Sequence, residues 1–193
     1  MSNFFSKLSL VFKDNTLRKR ILFVFIALGL FRLLAVIPIP GVDALQLENF
    51  FAGNQFLGLL NIFSGGGLSN LSIVMLGLGP YITAVIIMQL LTMVFPPLEK
   101  LYKEEGDAGK QKFNQYGRML TSPFSFVQGF AFLALLENQG IIDPLSPLLK
   151  LAALTVVTAG TLLLMWLGEL ITEKGIGNGV SLLIFAGIVA AFP

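Results

Sequence analysis

Three short stretches carry residue types that could do chemistry. Ser64-Gly65-Gly66 has the look of a nucleophile in a tight turn, but the chain contains no His to take the serine proton. Glu169 and Glu173, spaced i,i+4, could share a helix face as an acid/base pair, yet at a polar helix end they read as solvated carboxylates. Gly175-Ile176-Gly177-Asn178-Gly179 has the glycines of a phosphate-binding turn, but no strand precedes it and no Lys follows as in a P-loop. It reads instead as a helix stop followed by a helix start. With neither His nor Cys anywhere, a Ser–His dyad, thiolate catalysis, disulfides and zinc sites of the usual type are excluded. No enzymatic reaction and no cofactor is expected.

The elements that must position any function are membrane helices. Of 193 residues, 55% are hydrophobic and 12% charged, about half the charged share of an ordinary soluble domain, and mean hydropathy is +0.81. Each helical crossing of a bilayer takes about 20 apolar residues. An all-α polytopic membrane protein is the fold class these numbers allow. A net charge of +2 is too small to argue for nucleic acid.

Charge placement predicts the topology. Residues 1–20 read as a cytoplasmic N-terminus ending in Arg18-Lys19-Arg20, either an amphipathic surface segment or a frayed tail, with no cleavable signal peptide apparent. A first span is expected over 21–37, stopped by Pro38 and Pro40, with Arg32 close enough to its end to snorkel. Asn49 to Leu98 carries no charge and is too long for one span, but its first part, interrupted by Gly53, Asn54, Gln55 and Asn61, is a poor candidate for a second. Lys and Arg favour the cytoplasmic side, so the basic clusters before 21 and within 96–118 must be separated by an even number of crossings. Residues 56–72 therefore dip in and return, and the second span is 73–95. A cytoplasmic loop at 96–118 and spans at 119–136, 148–171 and 180–193 complete five helices and one re-entrant segment. Every Lys and Arg except Arg32 and Lys150 then lies on the cytoplasmic side.

Ser64-Gly65-Gly66-Gly67 falls inside the re-entrant piece. Such backbone leaves peptide groups unsatisfied, which hydrocarbon does not tolerate, so a protein-lined or water-filled cavity is implied; a helix-packing kink with a surface loop is the blander alternative. Gly77, Gly79 and Pro80 allow close packing and a bend just beyond it. Thr83 and Gln89 are the notable polar groups of the second span, either interhelical hydrogen-bonders or part of a polar crevice.

Four segments, in order, resemble one family: RILFVFIALGLFRLLAVIPIPGVD from Arg20, FSGGGLSNLSIVMLGLGPYITAVIIMQLL from Phe63, KEEGDAGKQKFNQYGR from Lys103 and WLGELITEKGIGNGVSLLIFAGIVA from Trp166. Together they resemble the N-terminal half of the SecY family, the central subunit of the protein-conducting translocon. The resemblance implies half of a pseudosymmetric clamshell channel around an hourglass pore. It assigns Leu78, Ile82, Ile184 and Ile188 to an apolar constriction, with Leu78 where Ile is frequent. It makes 61–72 a plug, assigns Phe63, Ser64, Gly65, Gly66, Gly67, Leu68 and Leu71 to that plug and its hinge, and assigns Thr83, Ile86, Gln89, Phe126 and Gln128 to a lateral gate. The implied partners are a C-terminal half of the channel, SecE-like and SecG-like subunits, the motor ATPase SecA or a ribosome, signal peptides and nascent chains, and the lipid bilayer. The implied location is a bacterial plasma membrane, ahead of a thylakoid membrane. Because this family has about ten helices, the sequence is expected to be a fragment. Half of a secondary transporter with a broken helix is the alternative, which should show polar substrate ligands near mid-membrane.

Overall fold

A computed structural model describes residues 14–39, 67–68, 70–103 and 105–191. Among them, six helices account for nearly all regular structure, and the one β-type contact is an isolated bridge between Pro38 and Ser72. Helix α1 spans Asn15–Val36, capped by Asp14, whose carboxylate accepts the Thr16 N–H at 2.9 Å. It stops before Pro38, as a ring without an N–H requires.

Over 70–78 the backbone runs through successive turns. Ser72 N–H donates to the Gly67 carbonyl, Met75 to Ser72, Gly77 to Val74 and Gly79 to Leu76. Leu71 at φ 41° and Gly77 at φ 57° take left-handed conformations that a helix cannot contain. Helix α2 therefore begins at Gly79, with Pro80 in its first turn, and runs to Val94. Residues 73–78, expected within the second span, are turns.

A second proline pair, Pro96-Pro97, opens the short amphipathic helix α3, Pro96–Lys103, which leaves α2 at 111°. Helix α4 occupies Gly106–Asn138 and runs unbroken through Pro123. The segment expected as a loop at 96–118 is thus α3 plus the first turns of α4. A serine cap at Ser146 opens α5, Pro147–Lys174, and α6 covers Gly179–Ala191. Between them Gly177 adopts φ 78°, and the Thr172 hydroxyl accepts the Gly179 N–H at 2.8 Å.

Packing follows from small residues. The buried face of α4 repeats every fourth residue through Phe113, Gly117, Thr121, Ser125, Gly129 and Leu133, so neighbouring helices lie close against its backbone. On α5, a Cβ placed at Gly160 would sit 2.0 Å from the Ile73 carbonyl oxygen. Two apolar clusters result. Leu68, Leu71, Met75, Leu133, Leu136 and Leu154 belong to one, at the end where α4 turns into α5. Phe31, Val74, Leu78, Leu164, Leu167 and Leu183 belong to the other.

Contacts fix which ends lie together. A Cβ at Gly175 would meet Val24 at 2.8 Å, and Arg118 pairs with Glu169 at 2.6 Å, so the start of α1, the upper part of α4 and the end of α5 share one end. That end carries Arg18, Lys19 and Arg20 together with Lys110, Lys112 and Lys174. At the opposite end Lys150 pairs with Glu137 at 2.5 Å, and Glu137 also accepts the Leu145 N–H at 3.0 Å. Those bonds, the lysine's first and the backbone's second, hold the Glu137 carboxyl below its ordinary range. They also explain how a lysine is held at the end opposite the basic clusters.

By length and composition α4 and α5 can each cross a membrane, and the bent pair α2–α3 makes a third if it is one span. Helix α1 carries Arg18, Lys19, Arg20 and Arg32, and α6 is a shorter apolar helix.

Candidate functional site

A cavity of about 550 Å³ lies where the two clusters meet. Its wall combines Leu78, Ile82 and Thr83 near the start of α2 with Ile184 of α6, Gln128 of α4 and Leu68 from the turns before α2. Among the described residues the wall is predominantly apolar and contains no charged side chain. Each contributor is held by local structure. Leu78 precedes α2 and accepts the Ile82 N–H at 3.0 Å, which sets the two side chains one turn apart. Leu78 is buried against Val74 and Leu183, while Ile82 and Ile184 are half-buried beside them.

The polar groups of the wall are mutually satisfied. The Thr83 hydroxyl donates to the Gly79 carbonyl at 2.9 Å, and the Gln128 amide donates to the Thr83 hydroxyl at 3.5 Å, joining α2 to α4. Such a bond between helices is the ordinary hydrogen-bonding role expected of Thr83, and it lies at the edge of the cavity as well.

Three of the four constriction residues expected from sequence thus share one cavity. Ile188 lies one turn beyond Ile184, half-buried and outside the cavity wall. Of the expected plug and hinge, Leu68 lines the cavity, Leu71 is buried in the first cluster and Gly67 is buried with its carbonyl bonded to Ser72. Phe63, Ser64, Gly65 and Gly66 lie outside the described residues. Of the lateral-gate set, Thr83 and Gln128 meet. Ile86, Gln89 and Phe126 are exposed on the surface of the bundle.

Sequence reasoning missed Met75, Leu76 and Phe132, which complete the wall. Phe132 stands i,i+4 from Gln128, but apolar residues at that spacing are so common in membrane helices that nothing singled it out. Glu169, read as solvated, is instead paired with Arg118 and is 23% exposed at its side chain. The partners are 51 positions apart, so helix spacing alone could not pair them.

Among the described residues, the wall consists of apolar residues with two neutral polar groups and presents no general base, no metal ligand set and no fixed charge. It can exclude water and ions and yield to an apolar or extended occupant.

Comparisons with known proteins identify one family. A family model described as SecY matches residues 72–193. Protein translocase subunit SecY of Pseudomonas aeruginosa is 45% identical over 176 residues, covering 90% of this chain and 40% of that protein. The subunits of Aquifex aeolicus and Rickettsia typhi are each 44% identical, covering 96% and 100% of this chain and 45% of each relative. The chain therefore spans less than half the length of these relatives. Two solved structures share the fold at TM-score 0.63 and 23% identity, covering 88% of this chain and 36% of each: the structure of a protein conducting channel, and Sec61 in a canine ribosome–channel complex from the endoplasmic reticulum. A family model matched across more than half the chain, with translocase subunits this similar, leaves one conclusion: the chain belongs to the SecY family.

Proposed function

We propose that this chain supplies the N-terminal half of a protein-conducting channel, which passes unfolded polypeptides across a membrane and releases apolar segments sideways into it. The observation that carries the reading is the shared cavity, in which Leu78, Ile82 and Ile184 face a common space with Leu68, Thr83 and Gln128. A narrow apolar neck resists ions because it cannot replace their hydration shells, and it needs no particular sequence in whatever passes. Leu78, Ile82, Ile184 and Ile188 form this half of the neck. Residues 61–72 stop it when idle, with Gly65–Gly67 as the joint. Thr83, Ile86, Gln89, Phe126 and Gln128 belong to the wall that parts toward lipid.

In this reading the chain acts with a C-terminal half of the channel, with SecE-like and SecG-like subunits, and with SecA or a ribosome delivering signal peptides and nascent chains. It is a conduit rather than an enzyme. It resides in a bacterial plasma membrane with five spans and its N-terminus in the cytoplasm. Gathering of the basic clusters Arg18–Arg20 and Lys110–Lys112 at one end of the bundle supports that orientation. A transporter half receives no support from a cavity wall whose described residues include no charged ligand.

Ion conductance tests the reading. In a channel completed by its second half, Leu78→Ser with Ile82→Ser should raise resting ion leak at least several-fold while polypeptide passage persists. Unchanged leak together with lost uptake of a small solute would overturn it in favour of the transporter.

A further inference from the structure

A small groove of about 200 Å³ lies beside the first turns of α1, at the end that carries the basic clusters. Ile21, Val24 and Phe25 of α1 form one side of it; Ile176, in the turn between α5 and α6, and Leu182 of α6 form the other. The turn is pressed against α1 here, since a Cβ at Gly175 would meet Val24 at 2.8 Å. All five lining side chains are apolar, yet Phe25 is 69% and Ile176 42% exposed. Exposure of Phe25, within an apolar helix, is ordinary for a side chain that faces hydrocarbon. Ile176 is different. It stands in the polar turn Glu173-Lys174-Gly175-Ile176-Gly177-Asn178, whose charged and amide groups belong at headgroup level, above the depth that acyl chains fill. Lipid tails therefore do not cover it.

Chain connectivity names the occupant. Residues 1–13 lie outside the described residues and directly precede α1. Asp14, the cap, is extended at φ −80° and ψ 111°, so the chain ahead of it leaves the α1 axis. In the sequence, Phe4, Phe5, Leu8, Val11 and Phe12 share one face at helical spacing, with Ser2, Ser6, Lys7 and Lys13 opposite. Reach is sufficient. Ile21 to Phe25 lie about 9–15 Å along the axis from Asn15, and the stretch from Phe5 to Asp14 covers about 13 Å as a helix or about 30 Å extended. We infer that residues 4–12 fold back beside α1, with the side chains of Phe5 and Leu8 closing this groove over Ile176 and Leu182. A tethered segment meets the groove at a higher effective concentration than a separate partner does. Lys7 and Lys13 stay on the solvent side, so Arg18, Lys19 and Arg20 face no buried like charge. The contact ties the segment ahead of α1 to the turn between α5 and α6, and it does not depend on the channel reading.

A photoactivatable side chain in place of Ile176 reads the occupant directly, in the complete channel held in vesicles of zwitterionic lipid. The result expected is adducts that map, within the same chain, to residues 1–13. Phe5→Ser with Leu8→Ser should reduce them about fivefold or more, as loss of two apolar contacts implies, whereas Lys7→Ser leaves them unchanged. The same probe at Val189, 51% exposed further along α6, should label lipid and not residues 1–13. Adducts from position 176 to lipid, to another subunit or to a second copy of this chain overturn the inference, as does an absence of adducts. Equal labelling of residues 1–13 with and without the two serine substitutions overturns it as well.

Discussion

Replacing Gly160 by alanine probes one of the closest approaches in the bundle. The added Cβ would lie 2.0 Å from the Ile73 carbonyl oxygen and 2.8 Å from its carbon, where ordinary contact begins near 3.4 Å. Both atoms it would meet are backbone, so no side chain can rotate away. Nor is Ile73 free to retreat, because its N–H donates to the Ile37 carbonyl at 3.0 Å and its neighbours Ser72 and Val74 are fully buried. Relief requires α5 and the 71–75 turns to separate by roughly an ångström, and a gap of about that size forfeits a quarter to a half of each contact it opens. Overpacking of this kind costs about 1–3 kcal/mol, and the fixed backbone places Gly160→Ala at the upper end, near 3 kcal/mol. Reversible unfolding in mixed micelles with increasing denaturing detergent, followed through the single Trp166, reads the difference. Gly29→Ala is the control, because its Cβ meets nothing within 4 Å, and it should be neutral or stabilising by up to about 1 kcal/mol through helix propensity. Equal midpoints for Gly160→Ala and the parent would refute the packing deduced here.

Three further outcomes follow from the same geometry. Glu137 is held below its ordinary range by Lys150 and the Leu145 N–H, so its contribution is complete above about pH 4.3 and disappears as pH falls through the lowered folded value. Glu137→Gln should therefore weaken unfolding resistance by about 1 kcal/mol at neutral pH and flatten its decline in acid, measured by the same detergent titration at stepped pH. Leu71→Gly relieves a left-handed backbone worth about 1–2 kcal/mol but removes a side chain only 1% exposed, worth about 2–5 kcal/mol, so proteolysis should show net destabilisation. Thr83→Val breaks the 3.5 Å bond from Gln128 and costs no more than about 1 kcal/mol, as a double-mutant cycle with Gln128→Leu would measure.

Much of this architecture was legible because charge and proline act locally. Pro38 marks the stop of α1 in the residues themselves, while Pro96 after α2 and the Ser146-Pro147 start of α5 show their part only in the folded chain. The turns over 73–78 were not legible, since Ile73-Val74-Met75-Leu76 is as apolar as any helix and only the left-handed angles at Leu71 and Gly77 reveal the break. Likewise the segment 96–118 reads as loop by its charge, yet Tyr102 stacks on Phe113 at 4.8 Å and a Cβ at Gly109 would meet the Leu101 carbonyl at 2.0 Å, so α3 folds against α4. In the candidate site, Leu78, Ile82 and Ile184 came from family resemblance and not from spacing. Met75, Leu76 and Phe132 needed the folded chain, because what unites a cavity wall is proximity across helices.

The bridge between Pro38 and Ser72 has a mechanical meaning. With Ile39 N–H on the Leu71 carbonyl at 2.8 Å and Ile73 N–H on the Ile37 carbonyl, two backbone bonds tie the chain at the points where it leaves α1 and approaches α2. Tension arising anywhere between those points is borne by the knot and does not reach the helix axes.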